Sequence, residues 1–179
     1  MSYAGRNYVV TAAAGGIGGE LTMLLLEGGA GVLACDISGK RLALLEERAG
    51  AKRDMLSVLK VDVADEKGAS LVADTAIERF GTVHGLANVA GGIAGIGEDI
   101  IDRPIDRITT EEYQQTVRLN LDSAFFMTRA LVPHFRDKHY GKVVNVASLA
   151  AFGNFDYMGN AGYDAATAVD VDARALATL

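Results

Sequence analysis

A doubly wound α/β domain, with helices on both faces of a parallel sheet, is predicted by three features of the chain. Short apolar runs rich in β-branched residues alternate with longer segments of helical period through most of the 179 residues. A turn almost without side chains, Thr11-Ala12-Ala13-Ala14-Gly15-Gly16-Ile17-Gly18-Gly19, hands the first apolar run to the first helical segment. An acid, Asp36, ends the second run about 20 residues beyond that turn. Half of the residues are hydrophobic and 22% are charged, so the chain can bury a core as one domain. No linker, tandem repeat or low-complexity segment divides it, and a single domain over residues 1–179 is expected.

The first strand is expected at Tyr8 to Thr11, where Tyr8-Val9-Val10 is continuously apolar. The small residues that follow let a pyrophosphate approach the backbone, and the N–H groups and positive dipole end of the next helix favour its charge. A βα turn that needs glycine only for packing has the same composition. Helices are expected at Gly18 to Gly28, Lys40 to Ala49, Glu66 to Phe80, Thr110 to Arg136 and from Tyr163 onward. The strands between them are Gly31 to Asp36, Ser57 to Asp62, Gly85 to Val89 and Lys142 to Ala147. They read as nearly unbroken apolar stretches, the pattern of a sheet covered on both faces, which gives three layers.

The fourth helix has the clearest signals. Thr109 and Glu112 form a capping box, and Tyr113, Val117, Leu121, Ala124, Thr128, Leu131 and Phe135 follow at spacings of three and four. Asn120 falls on that same stripe. A buried amide without partners costs about 1 to 3 kcal/mol, so Asn120 is expected to meet polar groups in the interior.

Asp36, at the end of Val32-Leu33-Ala34-Cys35-Asp36, stands where a carboxylate accepts hydrogen bonds from both hydroxyls of an adenosine ribose. Its charge repels a 2′-phosphate, which favours NAD over NADP, although Lys40 and Arg41 lie close by. Taken alone, it is equally a solvated strand-end carboxylate or a helix cap.

The net charge of −6 argues against nucleic-acid and anionic-membrane partners. One cysteine, Cys35, allows no internal disulfide, no Cys/His spacing suits a metal, and the composition fits a reducing cytosol. Met1 leads into polar residues rather than a signal-peptide core, and no apolar run is long enough to span a bilayer. A soluble, cytoplasmic protein is expected.

From Arg6 to about Ala177 the pieces resemble the short-chain dehydrogenase/reductase family of NAD(P)-dependent oxidoreductases, with its Rossmann-type fold. The family's TGxxxGIG turn is matched by Thr11 to Gly18, with Ala12 in place of the first glycine. The resemblance implies that Thr11, Gly15, Gly16, Ile17 and Gly18 meet the cofactor, and that Asp62 and Val63 meet its adenine. The NNAG motif is matched by Asn88-Val89-Ala90-Gly91. It implies that Asn88 stabilises the central sheet while Ala90 and Gly91 lie against the nicotinamide ribose.

By the same resemblance the catalytic set is Asn120, which supports a water-linked proton relay, Ser148, which polarises the substrate carbonyl, and Tyr163, the acid–base residue. The family's YxxxK motif reads here Tyr163-Asp164-Ala165-Ala166-Thr167, so the lysine that favours the phenolate is absent. A tyrosine at its free pKa of about 10 is roughly 0.1% phenolate at pH 7, so a missing cation costs rate. The family also continues for several tens of residues past this helix. The fold is therefore expected without its last strands, and the chain is expected to be shortened at its C-terminus.

These observations predict an oxidoreductase that moves hydride between NAD(H) and an alcohol/carbonyl substrate, without a metal. Residues 92–107, with Ile93, Ile96, Ile100, Ile101 and Pro104, are one candidate wall for that substrate and equally a packed surface loop. The alternative is a dinucleotide-binding fragment or pseudoenzyme that no longer turns over. A third possibility is an interaction protein that binds no ligand. If the family interface is retained, the helices from Thr110 and Tyr163 make a homo-oligomer.

Overall fold

The computed structural model describes residues 2–92 and 105–148, and Tyr163, Thr167 and most of the 92–107 segment lie outside them. In chain order the elements are β1 (Asn7–Thr11), α1 (Gly16–Glu27), β2 (Gly31–Asp36), α2 (Gly39–Ala49), β3 (Leu56–Lys60), α3 (Glu66–Phe80), β4 (Gly85–Asn88), α4 (Thr110–Val117), α5 (Ser123–Asp137) and β5 (Lys142–Asn145). Short 3-10 turns occupy Gly50–Met55 and Ile105–Arg107, and a π-helical segment, Arg118–Asp122, joins α4 to α5. All four strand pairs are parallel, in the order β3-β2-β1-β4-β5.

Period-two alternation divides the core between the two faces of the sheet. Val9, Leu33 and Leu86 point to one face, where Val72 and Ala76 of α3 and Met127 and Leu131 of α5 cover them. Val10, Val32 and Ala34 point to the other, beneath Leu25 and Leu26 of α1 and Leu42 and Leu45 of α2. The expected three-layer architecture is therefore observed. Chain order dictates it, because the connection from β3 to β4 carries the chain from one side of β1 to the other. At β1 and β4 the strand order reverses, which opens the crevice at the C-terminal strand ends where ligands bind in open α/β sheets.

Each expected element within the described residues is present, with ends displaced by a residue or two. The main correction lies in the fourth helix. Its capping box is present, with Thr109 Oγ1 accepting from the Glu112 N–H and Glu112 accepting from the Thr109 N–H. The stripe beyond it changes register. Tyr113 is 47% exposed and Thr116 is buried instead, whereas Ala124, Met127, Leu131 and Phe135 are buried as one face of α5. The π segment is the cause, because each π turn holds an extra residue and rotates everything before it relative to everything after it.

At β5 one face is left uncovered by the described residues: Val144 is 59% exposed, and Val146, just past the strand, 37%. No helix among the described residues is long and apolar enough to cross a membrane, and none of their acidic, histidine or cysteine side chains cluster as a metal site.

Candidate dinucleotide site

The glycine turn owes its shape to backbone contacts that side chains would obstruct. Ala12 takes φ of +45°, in the left-handed region that favours glycine, and its carbonyl accepts the Gly15 N–H at 3.0 Å. A Cβ on Gly18 would fall 2.3 Å from that same carbonyl oxygen. Gly18 therefore lets α1 close on the turn. Around Gly16, by contrast, a Cβ would meet nothing within 4 Å, so the start of α1 is open to an incoming group. Gly15 occupies the N-cap and no side chain caps the helix, whose first turn also holds no acid. Among the described residues no side chain caps its first N–H groups, as an anion site requires. Ile17, at the mouth of this turn, is 64% exposed.

Two bonds lock the turn onto β2: the Ala13 N–H reaches the Cys35 carbonyl at 2.9 Å, and the Ala14 N–H reaches Asp36 Oδ2 at 3.2 Å. Asp36 is almost wholly buried. Its Oδ1 accepts from the Ser38 N–H and from Arg41 Nη2, both at 2.9 Å. Burial, with the Asp36 charge beside it, pushes the Cys35 thiol far above its ordinary pKa, which keeps it inert.

Thr11 closes the turn on its other side. Its hydroxyl donates to the Ala87 carbonyl and accepts from the Val89 and Ala90 N–H groups, each at 2.9 Å. With 1% exposure it has no free face for a ligand, so it acts by holding the chain where it leaves β4. Asn88 secures the same strand end. Its Nδ2 donates to Asn145 Oδ1 at 2.9 Å and to Thr128 Oγ1 at 3.2 Å, tying β4 to β5 and α5. Its own buried Oδ1 has no partner among the described residues.

Beyond β4, Asn120 grips the chain at Gly92 and bonds its own helix at Thr116. Its Oδ1 accepts the Gly92 N–H, and its Nδ2 donates to the Gly92 and Thr116 carbonyls, all at 2.8 Å. A Cβ on Gly91 would lie 2.8 Å from that Oδ1, so a larger residue there would displace the amide from its bond to Gly92. The interior partners expected for this buried polar residue are present. Because the side chain is fully committed, its contribution is to fix the Ala90-Gly91-Gly92 turn against the π segment.

At the outer end, Asp62 Oδ1 accepts the Ala64 N–H at 2.9 Å, while Oδ2 faces Arg118 Nη2 at 3.5 Å. Arg118 Nε also donates to the Ala64 carbonyl, so this arginine braces the loop after β3 from the π segment. Val63 is 6% exposed and belongs to the core, a packing role rather than a surface one. Ser148 stands three residues past β5, half-buried, at the same edge of the sheet.

The strand ends therefore bring together the glycine turn, Asp36, Asp62, Asn88, the Ala90-Gly91 turn, Asn120 and Ser148. Sequence reasoning gave little weight to Arg41 and passed over Arg118. Arg41 carried one visible signal: the first turn of α2 holds Lys40 and Arg41 and no acid, the reverse of what the helix dipole favours.

The fold, and the crevice it opens at the switch point, define a doubly wound α/β class of protein. A family model described as short chain dehydrogenase matches residues 6–175, and the chain belongs to that family. It is similar to 2,3-dihydroxy-2,3-dihydro-p-cumate dehydrogenase of Pseudomonas putida, 37% identical over 145 residues, covering 80% of this chain and 53% of that one. A 2-dehydro-3-deoxy-L-rhamnonate dehydrogenase (NAD(+)) of a Sphingomonas species is 30% identical over 148 residues, covering 83% of this chain and 55% of the relative. Among solved structures, a short-chain dehydrogenase/reductase named glucose/ribitol dehydrogenase from Brucella melitensis superimposes with a TM-score of 0.81 at 25% identity. It covers 98% of this chain and 73% of the other. The chain spans about half the length of the relatives it matches by sequence.

Proposed function

We propose that the chain binds NAD across the C-terminal ends of β1, β2 and β4 and moves hydride between it and a small alcohol/carbonyl substrate. The observation that carries this reading is the uncapped start of α1, open at Gly16 and locked by the Ala14 N–H to the acid that ends β2. When bound, the nicotinamide supplies the hydride acceptor or donor. Gly16 and the N–H groups of α1 hold the pyrophosphate, Asp36 takes the adenosine ribose, and Asp62 faces the adenine. Thr11 and Asn120 hold the Ala90-Gly91 turn against the nicotinamide ribose. Ser148 orients the substrate oxygen and Tyr163 exchanges the hydroxyl proton. One relative carries NAD(+) in its name, which supports NAD as the cofactor. Self-association through the face of α4 and α5, where Tyr113 and Phe125 are 47% and 54% exposed, completes the proposed assembly. A cytoplasmic location is part of the same reading, supported by the lone, buried Cys35.

NADH titration by fluorescence tests the binding half. Saturable binding that weakens about tenfold or more in Asp36→Ala is expected, on the scale of charged hydrogen bonds lost. No saturation overturns it. Oxidation of secondary alcohols with NAD, faster at alkaline pH, tests the chemical half.

Thr167, standing where the motif calls for lysine, favours a second reading in which the chain binds the dinucleotide but does not turn over. NADH binding with no reaction across a broad panel of alcohols and ketones selects that reading. A rate gained in Thr167→Lys restores the first.

A further inference from the structure

The N-terminal edge of the sheet gathers cations in a chain whose net charge is −6. Residues 3–7, 82–85 and 134–142 are woven together there. The Asn7 N–H donates to His84 Nδ1, the Asn7 side-chain amide to the Thr82 carbonyl, the Val83 N–H to His134 Nε2 and the Lys142 N–H to the His84 carbonyl. These segments hold Arg6, Arg136, Lys138 and Lys142, with Asp137 as their only acid. Lys138 pairs with Asp137 at 3.3 Å. Arg6, Arg136 and Lys142 have no carboxylate partner among the described residues, whereas Arg41, Arg48, Arg53, Arg118 and Arg129 each face one. The dipole of α5 accounts for Arg136 and Lys138 at its C-terminal end. It does not account for Arg6 and Lys142, which stand at the starts of β1 and β5.

Arg6 is exposed yet held in one place. Its Nη1 donates to the Tyr140 hydroxyl oxygen at 3.0 Å, and its guanidinium lies 5.7 Å from the centroid of that ring. Tyr8 first, and then Tyr140, raise its pKa, so the charge persists. Tyr8, Gly85 and Lys142 stand in one row across β1, β4 and β5, and residues in a row share a face of the sheet. Gly85 gives that row its room, because a Cβ there would lie 2.9 Å from Tyr8 Cδ1. The Tyr8 ring therefore leans across β4 towards β5. A tight turn sets Tyr140: its N–H donates to the Phe135 carbonyl at 3.0 Å, and Gly141 lies where a Cβ would strike the Phe135 ring. His84 stands edge-on to Tyr140 at 6.0 Å between centroids. With Nδ1 accepting from Asn7, the neutral ring carries its proton on Nε2 and adds a donor beside Tyr140.

We propose that this edge is a second ligand site, which takes the phosphate group of a small molecule between Arg6 and Lys142, with the Tyr140 hydroxyl as a third donor. The Tyr140 oxygen accepts from Arg6, which leaves its own proton to donate. Two unpaired cations match the charge of a phosphate dianion, and the planar donor fork of Arg6 suits its oxygens. Because a guanidinium already fixed by its neighbours loses little freedom on binding, the arrangement is prepared for the anion. The candidate dinucleotide site lies at the other edge of the sheet, so both sites can be filled at once.

The test is an NMR titration of the isotope-labelled 179-residue chain with inorganic phosphate at constant ionic strength. Saturable shifts of the Gly85, Tyr140 and Gly141 amides are expected, with a Kd of about 1 to 10 mM. Arg6→Gln and Lys142→Gln should each weaken that binding about fivefold or more, and the amide spectrum shows that each variant is folded. Lys67→Gln, which removes the same charge from the first turn of α3, should leave it unchanged. Acetate, with a single charge, should bind several-fold more weakly than phosphate. Phosphate also meets the open start of α1, so the Gly16 amide reports the dinucleotide site separately and should respond alike in every variant. Edge amides that stay still up to roughly 50 mM phosphate overturn the proposal. So do shifts that survive undiminished in both Arg6→Gln and Lys142→Gln, or acetate bound as tightly as phosphate. A silent edge beside a responsive Gly16 leaves the dinucleotide reading standing, and a responsive edge beside a silent Gly16 counts against that reading alone.

Discussion

Ala12 holds φ of +45° at a position where a side chain costs about 1 kcal/mol. The bonds from Ala13 and Ala14 to β2 keep it there, so the turn keeps its shape at the expense of stability. Ala12→Gly is expected to raise the unfolding free energy by up to about 1 kcal/mol, read as a higher urea midpoint, with NADH affinity unchanged. Gly18 behaves in the opposite way. A methyl there meets the Ala12 carbonyl oxygen, which belongs to the backbone and cannot rotate aside. Gly18→Ala should cost about 2 kcal/mol and lower NADH affinity with it, because α1 must withdraw from the turn.

The helix between Thr110 and Asp137 works as two pieces because of the π segment at its centre. Within a π turn the N–H groups reach back five residues, and the Ser123 N–H bonds the Arg118 carbonyl accordingly. Asn120 Nδ2 bonds the Thr116 carbonyl four residues back and, across the crevice, the Gly92 carbonyl. One side chain thus stabilises a helix irregularity and positions the turn after β4. Truncation leaves the Gly92 N–H, the Gly92 carbonyl and the Thr116 carbonyl without this partner. Asn120→Ala is expected to lose about 2 to 3 kcal/mol of stability and to speed hydrogen exchange at the Gly92 amide well beyond the global change. Exchange at Gly92 that rises only in step with global stability would assign Asn120 to packing alone.

The two edges of the sheet do different work across the whole molecule. The C-terminal edge carries the site, and the N-terminal edge is fastened by imidazoles. The Asn7 N–H donates to His84 Nδ1 and the Val83 N–H to His134 Nε2, each at 3.0 Å, so both rings serve as neutral acceptors. Burial lowers the pKa of His84 first, with Arg6 and His134 adding to it. Burial and Lys138 lower that of His134 against the opposing pull of Asp137. A folded state that resists protonation is at full strength above the ordinary value of 6.5 and loses stability as pH falls below it toward the lowered native values. The urea midpoint should therefore hold between pH 8 and 7 and decline from about pH 6.5 to 5.5. The decline should be shallower in His84→Gln and His134→Gln. Because this edge lies opposite the site, NADH affinity measured on the folded protein should vary less across that window than stability does.

Alternation of apolar runs with helical segments is a local property, and it determined the order of strands and helices, the capping box at Thr109 and the glycine turn. Asp36, Asn88 and Asn120 were likewise legible, because each is a polar residue at a position where the pattern is otherwise apolar or ending. The partners of these residues were decided by tertiary structure. Thr11 reaches Val89 and Ala90, Asn120 reaches Gly92, and the Ala14 N–H reaches Asp36 only after parallel pairing brings the strand ends to one edge. The π segment was also illegible, since one extra residue in a turn leaves a spacing pattern almost unchanged while it rotates Tyr113 out to solvent and Thr116 in. Sequence periodicity records which way a side chain faces along its own element, whereas the atom it finally touches depends on how two elements are set against each other.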